Sequence, residues 1–329
     1  MHLSIGRFTA VGSSVYGYDL RQTTSPIIKD YHHKLTNLDG GEEINQIVFA
    51  SHSNKIHLAT ADDDGYARVS DVIPNRMVEN TTESGEKRCR SLQHDENGSA
   101  LVTSVAFRPR GGKNLDLATG GTDSTVCLWD VNRPRRPSSS LLMKRDEEEG
   151  VSQVCNPPIV HSLSWSPSGK LLAAGLGDGS AMIMQVEGRK LVEGHRLRGG
   201  HTMPVAFVLF PQFGGLGVTS SHITAEDRLM VSGGNDGSIF LWDLGAMMAP
   251  NAVDPSTMFV DYNNDAESMS IDESMKDLSI TSEPRILFGL QHKKKPNWIE
   301  SSNASEPVLP NSLFVADTSN DITVYMLPR

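Results

Sequence analysis

LATGGTDSTVCLWDV at residues 117–131 and MVSGGNDGSIFLWDL at residues 230–244 are two copies of one pattern. Each opens as a short apolar strand ending in small residues. It then passes a tight turn holding Asp or Gly and continues as an alternating strand closed by Trp-Asp. Small residues before the turn allow close strand packing, and Asn-Asp-Gly tolerates the positive φ of a tight turn, so each copy reads as a β-hairpin. Val126, Leu128, Ile239 and Leu241 alternate along the second strand and are expected to face a core.

Weaker copies extend the pattern along the chain: RFTAVGSSVYGYDL (7–20), HLATADDDGYARVSDV (57–72), LLAAGLGDGSAMIMQV (171–186) and SLFVADTSNDITVYML (312–327). Ahead of most copies lies another apolar strand, in EINQIVFASHSN (43–54), LVTSVAFRP (101–109), IVHSLSWSPSGK (159–170) and MPVAFVLFP (203–211). A supersecondary unit recurring at this period predicts a repeat architecture spanning residues 1–329 as one domain.

The pattern resembles the WD40 family. Trp129-Asp130 and Trp242-Asp243 match its name-giving dipeptide, and Gly200-His201 matches the Gly-His element ahead of a blade. The resemblance implies an all-β, WD40-type β-propeller, seven-bladed in the family, with about six blades here and the first incomplete. It also implies a structural blade network in which His201, Asp236 and Trp242 join a hydroxyl, with Asp123 and Trp129 in the equivalent places of another blade. Gly234 is expected where that hydroxyl belongs, which leaves the network short of one member. The first copy starts near Arg7, so the ring is expected to lack about one N-terminal blade of roughly 40–45 residues.

Three stretches interrupt the repeat. Residues 74–99 and 133–158 read as inter-strand insertions, and residues 245–284 as an acidic flexible insertion in which only Lys276 opposes many carboxylates. The cluster Arg133, Arg135, Arg136, Lys144 and Arg145 reads either as an import signal or as a solvated loop.

Bulk composition narrows the function classes. A net charge of −10 argues against a broad nucleic-acid or anionic-membrane surface. Three widely spaced cysteines, Cys89, Cys127 and Cys155, suggest neither a disulfide framework nor a zinc site. With no leader-like apolar run, a soluble protein of the cytoplasm, the nucleus or both is expected. Asp62-Asp63-Asp64-Gly65 lacks calcium-loop spacing, and Gly175–Gly179 sits at a hairpin turn and not ahead of a helix, so neither predicts a ligand. No cofactor, metal or catalytic residue is expected.

The function expected is a non-catalytic protein-protein interaction scaffold, since loops on a rigid ring concentrate binding. The order of the copies and their departures from consensus, among them Asn297-Trp298 and Val315-Ala316-Asp317, resemble a branch of the family proposed as substrate receptors of a cullin-4 RING ubiquitin ligase. Its partners would then be the ligase adaptor and a substrate protein. The alternative is a ubiquitin-independent WD40 scaffold or chromatin-peptide reader. Adaptor docking in such receptors uses Trp-Asp-x-Arg at the end of a blade's third strand. Tyr18-Asp19-Leu20-Arg21 fits with Tyr for Trp, Trp129-Asp130 has its arginine displaced to Arg133, and Trp242-Asp243 lacks one. Tyr18, Asp19 and Arg21 are therefore the docking candidates. A plain surface ion pair, worth under ~1 kcal/mol, is the competing reading.

Overall fold

A computed structural model describes residues 6–19, 33–35, 42–72, 89–109, 114–145, 156–211, 227–245, 284–302, 311–319 and 321–326. These residues form six antiparallel sheets in chain order. The first holds β1 (Gly6–Val11), β2 (Ser14–Asp19) and β3 (His33–Leu35). Four four-stranded blades follow. They are β4 (Ile44–His52), β5 (Lys55–Asp62), β6 (Tyr66–Val72) and β7 (Cys89–Gln93); then β8 (Val102–Phe107), β9 (Asp116–Gly121), β10 (Thr125–Asp130) and β11 (Ser139–Leu142). Next come β12 (Val160–Trp165), β13 (Leu171–Leu176), β14 (Ala181–Glu187) and β15 (Lys190–Leu197), then β16 (Val205–Leu209), β17 (Leu229–Gly234), β18 (Ser238–Asp243) and β19 (Arg285–Gln291). The last sheet holds β20 (Pro296–Ser301), β21 (Ser312–Asp317) and β22 (Ile322–Met326).

Each hairpin copy is the second and third strand of a blade, and the apolar segment ahead of it is the inner strand. Among the described residues, the first sheet has no strand inside β1 and the last has none outside β22. Each of these two sheets therefore shows three strands among the described residues. Two of the stretches read as insertions contain blade strands: residues 89–93 are β7 and residues 139–142 are β11. Their polar composition hid them, because an outer strand packs on one side only. Residues 246–283 of the acidic insertion lie outside the described residues.

The core lies between sheets. Val126 and Leu128 of one blade pack with Val160, Leu172 and Leu176 of the next, all buried. A fully buried Leu contributes about 1.5–3 kcal/mol. The small residues ahead of each turn have a shared reason. Gly120, Gly175 and Gly233 occupy one repeat position, and a Cβ there would collide with Val160, Val205 and Ile299 of the following blade.

Inner strands pose a different problem, because no further strand pairs with their channel-side edge. Each of the five inner strands among the described residues carries a β-bulge at one place, between Ile44 and Gln46, Val102 and Ser104, Val160 and Ser162, Val205 and Phe207, and Pro296 and Trp298. The residue after the bulge bridges to the next blade. Gln46 Oε1 accepts from the Val105 amide and from the Ser104 hydroxyl, both at 2.8 Å. Ser104 Oγ accepts from the Leu163 amide at 3.0 Å, and Ser162 Oγ from the Val208 amide at 3.2 Å. A second rung runs beside the first: Asn45 donates to the Val102 carbonyl at 2.9 Å, and Thr103 to that of Val160. At Phe207 the series turns apolar.

Ser104 therefore holds two rungs at once. Ser104→Ala leaves the Leu163 amide and Gln46 Oε1 without this partner in a buried seam, an expected loss of about 1–3 kcal/mol. Urea denaturation of the full chain measures it. A midpoint equal to wild type would show that the seam does not depend on these hydrogen bonds.

Candidate functional site

Two kinds of polar site grow out of the repeat: braces buried inside blades, and carboxylates at the ends of third strands. The brace of the β16–β19 blade centres on His201, 5% exposed. Its Nε2 lies 2.7 Å from Ser232 Oγ and its Nδ1 lies 3.0 Å from Ser238 Oγ. Trp242 Nε1 donates to the same Ser232 Oγ at 2.8 Å. Asp236 ties the turn by accepting from the Ser238 amide at 2.9 Å and the Thr202 amide at 2.6 Å, and it approaches His201 Nδ1 at 3.5 Å. The hydroxyl that Gly234 was expected to leave missing is supplied by Ser232. Gly234 instead stands beside the imidazole, where a Cβ would strike His201 and Asp236.

The β8–β11 blade repeats the arrangement with Thr119. His94 Nδ1 lies 2.7 Å from Thr119 Oγ1, Trp129 Nε1 donates to it at 2.9 Å, and Asp123 lies 3.3 Å from His94 Nε2. The last sheet substitutes its parts: His292 reaches Tyr325 Oη at 2.7 Å and Asp317 at 2.8 Å. His94 and His292 were absent from the sequence reading, although both close a Leu-Gln-His triplet, at 92–94 and 290–292. In the β4–β7 blade, Arg68 stands on the third strand in the register position of Cys127. It is buried against Asp62 and pairs with Asp64 at 2.7 Å, so the Asp-rich turn serves a side chain of its own blade.

Burial lowers the pKa of His201 below the ordinary 6.5, against the raising effect of Asp236. Burial by itself would raise the Asp236 pKa, but the hydrogen bonds from Ser238 and Thr202, with His201 adding, hold it at about 2. The Cys127 thiol is pushed up to about 12 by burial, with the nearby carboxylates Asp123 and Asp95 adding to it. That removes its nucleophilic character.

At the strand ends, the carboxylate after the Trp position is held by arginines. Asp243 takes Arg228 in a fork, Nε and Nη2 each at 2.6 Å. Asp130 takes Arg189 of the following blade at 2.6 Å, while Arg133 approaches at 3.9 Å with its side chain 87% exposed. Asp71, the equivalent in the β4–β7 blade, holds His57 at 2.9 Å and Arg90 at 3.2 Å. Of the docking candidates, Tyr18 sits half-buried on β2 opposite Arg7, Asp19 closes that strand, and Arg21 lies outside the described residues. Sequence reasoning missed Arg189 and Arg228, because each comes from a neighbouring turn and not from the Trp-Asp segment.

Comparisons with known proteins agree with this geometry. Residues 86–130 and 196–243 match the family described as WD domain, G-beta repeat, and residues 135–210 match the anaphase-promoting complex subunit 4 WD40 domain. The chain is 25% identical to the WD repeat-containing protein 53 homolog of Dictyostelium discoideum, over 94% of its own length and 73% of the relative's. It is 28% identical to WD repeat-containing protein VIP3 of Arabidopsis thaliana, over 54% of this chain and 49% of that protein. With RUP2 of the same plant, identity is 29% over 48% and 37%.

Two outcomes are expected of the braces. Ser232→Ala strips the partner from Trp242 Nε1 and His201 Nε2 and destabilises the fold by about 1–3 kcal/mol, whereas Ser232→Thr, the residue type at the equivalent Thr119, retains most of that stability. Chemical denaturation of both variants distinguishes a hydroxyl requirement from simple packing, since equal loss in both would point to packing. The second outcome concerns pH. A histidine whose folded pKa is lowered leaves the unfolded chain binding more protons, so stability is full above 6.5 and falls as pH drops through it. The thermal midpoint should therefore decrease between about pH 7 and pH 5, and His201→Gln should flatten part of that slope. Asp236 contributes in a separate window, above 3.8 and lost as pH falls toward about 2.

Proposed function

We propose that this chain, a WD40-type β-propeller, is a non-catalytic scaffold for protein–protein interaction and, within that role, a substrate receptor of a cullin-4 RING ubiquitin ligase. The observation that carries the scaffold reading is the way its reactive groups are spent. Ser232, His201 and Asp236 converge as a hydrolase's residues would, yet Ser232 is 1% exposed and both imidazole nitrogens face hydroxyls of the brace. A nucleophile needs a base with a free nitrogen and a path for substrate, and this set offers neither. What faces solvent are turns and strand ends on a rigid ring, where binding is built.

The receptor reading rests on the docking pattern at such strand ends. Tyr18-Asp19-Leu20-Arg21 keeps the spacing, and at Trp129-Asp130 the exposed Arg133 stands beside a carboxylate already neutralised by Arg189. An arginine so placed keeps its fork for a partner's acceptors. A ubiquitin-independent peptide reader is favoured by a different feature, Trp298, which is 48% exposed on the inner strand β20. An exposed aromatic near a channel is a common anchor for a peptide.

Affinity purification of the tagged full chain with mass spectrometry separates the two. The receptor reading expects the cullin-4 adaptor among the recovered proteins, and its loss on Arg21→Ala or Arg133→Ala with Trp298→Ala unaffected. An adaptor absent from wild-type purifications, with recovered partners lost on Trp298→Ala instead, would replace the receptor by the reader.

A further inference from the structure

We propose that the face formed by the turns of the β8–β11 and β12–β15 blades is a docking surface for an acidic, extended segment of a partner protein. This surface shares Arg133 with the adaptor-docking pattern, but its remaining cations lie outside that pattern, and it holds whether or not the chain serves a ligase. In an antiparallel blade, the turn after the inner strand and the turn before the outer strand emerge at the same end of the sheet. Here those turns bring together Arg108, Arg133, Arg135, Arg136, Arg189 and Lys190 from two adjacent blades. Facing them are the carboxylates of Asp116, Asp130 and Glu187, of which the first two are buried under the arginines. The local balance is cationic in a chain whose net charge is −10.

The placement is fixed by hydrogen bonds and not by chance proximity. Arg108 donates from Nε to the Gly169 carbonyl and from Nη1 to the Gly188 carbonyl, each at 2.7 Å, which links three turns. Its guanidinium also lies over the Trp165 ring, 5.4 Å from the centroid. Arg189 spans Asp130 at 2.6 Å and Asp116 at 2.9 Å. The Leu191 amide donates to Ser139 Oγ at 3.1 Å, drawing Lys190 and the start of β15 against the end of the arginine-rich loop.

That loop, Arg133-Pro134-Arg135-Arg136-Pro137, is the most telling element. Both its ends are closed by backbone hydrogen bonds, Arg133 N to Asp130 O at 2.8 Å and Ser138 N to Leu128 O at 2.7 Å. Two prolines fix φ in between. Arg133, Arg135 and Arg136 remain exposed. A stiff loop presenting guanidinium groups pays little ordering entropy on binding, and a guanidinium matches a carboxylate through two parallel hydrogen bonds. The buried Asp116 and Asp130 hold the rim in position while leaving the outer arginines for the ligand. A nucleic-acid backbone is the less favoured occupant, because the patch spans only two blades and the rest of the chain repels phosphate.

The test uses the full chain and a short fluorescein-labelled peptide of alternating Glu and Gly, with a Gln-for-Glu peptide of the same length as control. Anisotropy should show saturable binding of the acidic peptide only, weakening as ionic strength rises. Arg135→Glu with Arg136→Glu should weaken it by about tenfold or more through like-charge repulsion. Circular dichroism and a wild-type melting curve confirm that this surface variant folds. Equal binding of the two peptides, or undiminished binding by the double variant, overturns the proposal. Tighter binding of a duplex oligonucleotide than of the acidic peptide also overturns it, in favour of a nucleic-acid face.

Discussion

The constraint on which the rest of this fold depends is the unpaired edge of each inner strand. A β-strand without a neighbour leaves a row of amides and carbonyls to satisfy. Here a bulge turns a polar side chain sideways in three consecutive blades, so Gln46, Ser104 and Ser162 bond to amides of the following blade. The bulge, the polar residue after it and the small residue across from it form one device, repeated. It sets the spacing between blades, and that spacing puts the glycines of the second strands against the next blade's apolar side chains. Buried polar groups inside the blades follow from the same geometry, since each imidazole brace closes the turn that the next inner strand packs against.

Much of this was legible in the sequence, and the reasons are local. A hairpin announces itself by alternation and turn chemistry, both carried by consecutive residues, so the pairs around Asp123 and Asp236 could be read directly. The outer strands could not. Cys89–Gln93 and Ser139–Leu142 alternate weakly because one of their edges meets solvent. Ser232 escaped notice for a related reason: a serine within an apolar strand looks like a small core residue until the indole of Trp242 is seen to reach diagonally across the hairpin to it. Arg189 lies 59 residues along the chain from Asp130, and Arg228 precedes the strand paired with that of Asp243, so no motif spacing connects either to its carboxylate.

The replacements among blades show which part of the brace the architecture requires. Thr119 and Ser232 exchange freely, and Tyr325 takes the place of a tryptophan while turning its hydroxyl to His292. In the β4–β7 blade an ion pair, Arg68 with Asp62 and Asp64, ties the same hairpin turn to its third strand. What persists is a polar tether from the turn to the third strand, whatever residues provide it. Such freedom separates holding the scaffold from the work done at its surface, where Arg133 and its neighbours are exposed and carry no share of the core.

The apolar step at Phe207 has a consequence for the joint between the last two sheets. Between β4 and β16 the amides of Val105, Leu163 and Val208 are held by side chains of the preceding blade. At the joint to β20, Phe207 packs without a fixed direction, and the polar tie that remains among the described residues is His292, which follows β19 and reaches Asp317 and Tyr325 of the last sheet. Solvent deuterium should therefore enter the last sheet before the four-stranded blades, in the manner of a low-energy local opening. Uniform exchange across all sheets would contradict it. A propeller stitched amide by amide along three joints and held at the next by a single histidine behaves as a clasp, with its hinge set where a phenylalanine stands in a serine's place.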